Sequence, residues 1–103
     1  MFLINEIYSI TSKFPDYEKF GLISQLNRCS VSIPSNIAEG TSKRTVKHFI
    51  SFLEHSLSSA FELETQLIIS YNLSYISKEK FLDLESKTKT VQRKISAFID
   101  SLN

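Results

Sequence analysis

Apolar residues recur every three or four positions in four successive stretches of this 103-residue chain, the period of a helix buried on one face. Leu3, Ile7, Ile10 and Phe14 form the first stripe, and Pro15 ends it because a residue before proline is driven out of the α region. Asp16 is the expected N-cap of a second helix, with Glu18 facing the positive end of its dipole. Leu22, Leu26, Cys29, Ile33 and Ile37 carry that helix to Gly40, its expected C-cap. Pro34 lies inside it and removes the donor for the Ser30 carbonyl, which predicts a kink and not a break. Ser42 or Thr45 caps a third and longest helix, whose stripe runs Val46, Phe49, Ile50, Leu53, Leu57, Ala60, Phe61, Leu67, Ile68 and Tyr71. Residues 72–75 read as a loop and Ser77 as the next cap. Phe81, Leu84, Thr88, Val91, Ile95, Phe98 and Leu102 then mark a fourth helix to the C-terminus.

Four amphipathic helices with short connections predict one all-α domain over residues 1–103, an antiparallel up-down four-helix bundle crossing at about 20° with a shortened first helix. Two glycines and two prolines are too few for the tight turns of a β-rich fold. Serine is frequent and only a middling helix former, so packing has to supply most of the stability.

Composition narrows the function classes. With 12 Lys+Arg against 11 Asp+Glu, the molecule lacks the overall positive field that draws nucleic acid or anionic membranes, so polyanion binding needs a local patch. Cys29 is the lone cysteine and cannot form an internal disulfide, which favours a reducing cytoplasm. The first residues carry no basic n-region, and no apolar run approaches the roughly 20 residues of a membrane span. A cytoplasmic protein without cofactor, metal or small-molecule substrate is expected.

On the third helix, Phe52, Ser56 and Leu63 widen the apolar arc to about half the circumference, where about 100° suffices for a helix on the outside of a monomer. Burial against two neighbouring helices or against another subunit explains the excess; Phe52 and Leu63 are therefore candidate oligomer contacts. On the second helix a polar line runs Gln25, Arg28, Ser32, Asn36 and Glu39, and Glu64 sits within the apolar stripe of the third, where a carboxylate needs a donor. Arg28 is the expected partner of Glu64, in a structural network that fixes helix register. A catalytic or ligand-binding use of these residues is the alternative.

His48, His55 and Glu62 recur at heptad spacing, but seven helical residues span about 10.5 Å, too far for one metal ion. Arg44 and His48 are too close in sequence for the Arg and His pairing of helical ribonucleases. Cys29 lies on the buried stripe and reads as a core residue. Lys43, Arg44 and Lys47 open the third helix, and Lys87, Lys89, Arg93 and Lys94 make the fourth locally cationic with no acid between Glu85 and Asp100. Such runs are commonly solvated faces, yet repetition around a ring would join them into a surface that holds RNA.

Several segments carry a resemblance: Phe14-Pro15, Tyr17-Glu18-Lys19-Phe20-Gly21-Leu22, Val31-Ser32-Ile33-Pro34-Ser35-Asn36-Ile37-Ala38-Glu39-Gly40, Phe49-Ile50-Ser51-Phe52-Leu53 and Glu62-Leu63-Glu64-Thr65-Gln66-Leu67. From Tyr8 to about Tyr75 the chain resembles the four-helix-bundle family encoded in intervening sequences of bacterial 23S ribosomal RNA genes. The resemblance implies a homopentameric ring of four-helix subunits with no established enzymatic activity. It further implies kinship with the accessory proteins of diversity-generating retroelements, similar pentamers that bind a reverse transcriptase and RNA. Those relatives are markedly basic. This chain departs from the family pattern at Asn27, where a second arginine is usual, at Cys29-Ser30, where a small apolar pair is usual, and at Ser74, where a glycine commonly ends the third helix. Family members usually begin a dozen or more residues earlier, which implies a truncated first helix.

The expected function is a non-enzymatic, self-assembling scaffold that binds a macromolecular partner, ribosomal RNA or a ribonucleoprotein. A protein-only adaptor and a helical nuclease acting through Glu64 or Glu39 are the alternatives.

Overall fold

The computed structural model describes residues 2–103. Helix α1 spans Phe2–Thr11, a 3-10 turn spans Asp16–Glu18, and α2 (Leu22–Thr41), α3 (Val46–Asn72) and α4 (Lys78–Leu102) follow. The described residues contain no strand. Cys29, Ser32 and Ile33 of α2 meet Glu62, Ser59 and Ser56 of α3, so the two helices run antiparallel. In α3 and α4, Phe49 meets Phe98, Glu64 meets Gln92 and Tyr71 meets Phe81, again antiparallel. The result is an elongated four-helix bundle of 44 × 24 × 19 Å.

The predicted stripes turn inward at most positions, but Val46, Phe61 and Ile68 of the third and Phe98 of the fourth point outward and stay 38–55% exposed. Leu3, Ile7, Ile10, Phe14, Leu26, Ile33, Leu53, Leu67, Leu84 and Ile95 are buried, with Leu57 and Val91 packed against them from the rim. The first helix is short, as its stripe suggested: it ends at Thr11, and two tight turns carry the buried Phe14 onto the ring of Tyr75, 5.1 Å away. Its 10 residues reach only about 15 Å, whereas the 25 of α4 reach about 38 Å. Half of the bundle is therefore four helices thick, and the half carrying the α2–α3 connection is three.

Two helix boundaries differ from the sequence expectation. Helix α2 begins at Leu22, not Asp16, because Glu18 turns back: its Oε1 accepts the Leu22 N–H at 3.3 Å and its Oε2 accepts the Tyr75 hydroxyl at 2.9 Å. One carboxylate thus caps α2 and ties it to the α3–α4 turn. Gly40 is not a C-cap but an internal residue of α2, which ends at Thr41 and is capped at Ser42. Its role is close packing: a Cβ there would lie 2.9 Å from both Phe49 Cδ1 and Phe52 Cβ. Helix α2 runs unbroken through Pro34, and the fully buried Ser56 donates to the adjoining Ile33 carbonyl at 2.8 Å.

The other caps lie where the sequence put them. Thr45 Oγ1 accepts the His48 N–H and Ser77 Oγ the Lys80 N–H, each at 3.1 Å. Helix α3 closes in a Schellman turn, with Tyr75 N donating to Ser70 O and Ser74 N to Tyr71 O, both at 2.9 Å. Ser74 adopts φ 65°, the left-handed conformation that a glycine takes without cost.

Candidate functional site

Helix α3 lies between α2 and α4, and this central place accounts for its wide apolar arc. Leu63 is fully buried inside the bundle and is unavailable to another subunit, which corrects its assignment as an oligomer contact. Phe52 is half-buried under Lys43, whose Nζ stands 4.9 Å from the ring centroid.

The polar line of α2 divides. Ser32 and Asn36 form the seam with α3: the Ser32 and Ser59 hydroxyls are 2.9 Å apart, and Asn36 Nδ2 donates to both O and Oγ of Ser32 at 2.9 Å. Gln25 and Arg28 are exposed and bond to each other at 2.8 Å, while Glu39 is exposed near the far end. Arg28 does not reach Glu64, contrary to expectation. Two residues along a helix is about 200°, so Glu62 faces α2 and Glu64 faces α4. Glu64 Oε1 accepts Gln92 Nε2 at 2.8 Å, Lys89 approaches its other oxygen at 3.9 Å, and Gln92 also donates to the Ala60 carbonyl at 3.2 Å. The glutamate that α2 engages is Glu62, which accepts the Cys29 thiol at 3.0 Å. Burial first, and then that carboxylate, push the thiol up to about 12, so it stays protonated at neutral pH.

Sequence reading also missed how α1 is held. Thr11 Oγ1 donates to Asn27 Oδ1 at 2.9 Å, which gives the family-atypical asparagine a local use. Glu6 accepts Lys87 at 2.7 Å and stands 3.7 Å from Lys80. Glu6 and Asp83 together raise the Lys87 ammonium above its ordinary range. Pairings between residues so far apart in sequence leave no local signal.

The two basic clusters are accordingly unequal. Lys87 and Lys89 are matched by Glu6, Asp83, Glu64 and Glu85. Among the described residues no carboxylate lies within ion-pair distance of Lys43, Arg44, Lys47, Arg93 or Lys94. Since Phe49 packs on Phe98, the start of α3 adjoins the end of α4, and these five cations share the half of the bundle that α1 leaves uncovered. Glu39, Glu54 and Asp100 share it too, so the positive field is local. Lys43, Arg44 and Lys47 stand before or within the first turn of α3, where the helix dipole disfavours cations.

A second surface is apolar. Phe61, Ile68 and Ile69 of α3 and Leu73 just after it stay 38–52% exposed. Phe61 and Ile69 wall a shallow groove of about 540 Å³ that Ser58, Glu62, Thr65 and Gln66 complete. Phe20 and Tyr17, in the turn before α2, are 90% and 79% exposed. Among the described residues no group of three His, Cys, Asp or Glu side chains is placed to hold a metal ion, and no helix is long and apolar enough to cross a membrane.

No curated protein matches the chain. Among solved structures, a protein of unknown function from the S23 ribosomal protein family of Bacteroides thetaiotaomicron VPI-5482 is similar, with a TM-score of 0.82 and 23% identity over 93% of this chain and 87% of that one. That likeness bears on the fold. The model of the 23S rRNA-intervening sequence proteins matches residues 1–97, and the chain belongs to that family.

Proposed function

We propose that the chain is a non-catalytic helical scaffold that assembles with copies of itself, in a five-membered ring as the family resemblance implies, and binds RNA in the cytoplasm. The observation that carries this reading is the strip Phe61, Ile68, Ile69 and Leu73, which stays 38–52% exposed although the bundle interior is complete without it. A free-standing bundle gains nothing from an apolar strip in water, whereas an assembling one buries it.

RNA is favoured as partner by the five unmatched cations on the half of the bundle opposite α1. Each copy holds too few to bind RNA tightly, and a ring multiplies them without new contacts within the subunit. The nuclease alternative is disfavoured because Glu64 is engaged by Gln92 on the α4 side while Glu39 stands near the end of α2.

Binding of a fluorescent single-stranded RNA between 50 and 200 mM salt tests the partner. Affinity is expected to fall steeply with salt, and glutamine at Arg93 and Lys94 to flatten the slope by about 0.7 per lost phosphate contact. Partner binding indifferent to salt would identify a protein-only adaptor. RNA turnover would contradict the non-catalytic reading.

A further inference from the structure

The exposed apolar groups fall into a knob and a groove. The knob is Phe20, whose ring is 90% exposed with Lys19 Nζ 5.6 Å from its centroid. It projects from a fixed turn: Lys19 N donates to Asp16 O and Gly21 N to Glu18 O, both at 3.0 Å, and Tyr75 holds the Glu18 carboxylate at 2.9 Å. An aromatic ring presented by a rigid turn loses little conformational freedom when a partner covers it.

The groove is the α3 surface between Phe61 and Ile69, with Glu62 at its edge. One oxygen of Glu62 takes the Cys29 thiol, and the other is free for a cation. The chain's own Phe20 does not fill this groove: it is 90% exposed and is not among the residues that line it. Knob and groove thus carry complementary apolar surface and opposite charges, Lys19 and Glu62, on one chain.

We propose that Phe20 of one copy seats between Phe61 and Ile69 of a second copy, with Lys19 paired to Glu62 across the contact. The inference rests on the self-assembly proposed above and names the surfaces that meet. A knob and a groove on different surfaces make a heterologous contact, which leaves an open assembly with one knob and one groove unused and closes into a ring when the rotation allows.

Sedimentation of wild type, Phe20→Asp, Lys19→Glu, Glu62→Lys and the Lys19→Glu/Glu62→Lys double variant tests it, with circular dichroism confirming that each is folded. Phe20→Asp is expected to weaken association at least about a hundredfold and each charge reversal about tenfold. The double variant should return to within about threefold of wild type. Should Glu62→Lys lose its fold through Cys29, Thr65→Arg, which fills the groove from an exposed position, takes its place and should dissociate the assembly. An assembling wild type with Phe20→Asp or Thr65→Arg unchanged overturns the knob and groove while self-assembly stands. Charge reversals that fail to compensate overturn the Lys19–Glu62 pairing. A monomeric wild type overturns both this inference and the self-assembly beneath it.

Discussion

The Cys29 thiol donates to Glu62 Oε2 at 3.0 Å across the seam of α2 and α3, and burial with that carboxylate lifts its pKa from 9.0 to about 12. A raised pKa means that the folded state holds its proton where the unfolded chain has lost it. The contribution is fully present below pH 9 and lost as pH rises from 9 towards 12. Tyr75, raised by the Tyr17 hydroxyl, burial and Glu18, and Lys87, raised by Glu6 and Asp83, act in the same alkaline direction from higher ordinary values. Urea titrations at intervals from pH 8 to 11 should show stability falling, with Cys29 contributing up to about 1.4 kcal/mol per pH unit. Cys29→Ser keeps a donor for Glu62 but does not titrate, and should flatten that slope.

Gly40→Ala sets two effects against each other. Alanine gains about 1 kcal/mol of helix propensity, but its methyl would meet Phe49 and the Cβ of Phe52 at 2.9 Å. The Cβ of Phe52 moves only with its backbone, so overpacking of about 1–3 kcal/mol wins. Thermal melts should show a net loss.

Ser74→Gly should act oppositely. Ser74 is the left-handed residue of the Schellman turn, at φ 65°, where a side chain costs about 1 kcal/mol. Removing the side chain releases that strain and also loosens the unfolded chain, leaving a net gain of about 0.5 kcal/mol, measurable as a raised melting temperature.

Glu64 and Gln92 are joined at 2.8 Å between α3 and α4, and neither is catalytic in the function proposed. A double-mutant cycle with Glu64→Leu and Gln92→Leu should give a coupling of about 1–2 kcal/mol, because each single change strands a partly buried polar group. Zero coupling would remove this pair from the account of helix register.

The stripes were legible because burial on one helix face imprints a period that needs no knowledge of the partner. Thr45 and Ser77 were legible as caps because an N-cap bonds within its own first turn. Asp16 misled because the carboxylate that opens α2 is Glu18, steered by Tyr75 from 57 residues away. Glu64 was identified as a carboxylate in need of a donor, but its donor depends on which neighbour each face of α3 meets, and a period does not encode azimuth between helices. Leu63 was read outward for the same reason. Phe20 carried no periodic signal, since its exposure arises from the turn that presents it.

A bundle that is a subunit and not a finished molecule shows this in its native mass. Light scattering on the eluting peak from 1 to 100 µM, about the range in which moderate protein contacts form, should give a multiple of 11.8 kDa. A mass of 11.8 kDa at every concentration would contradict it.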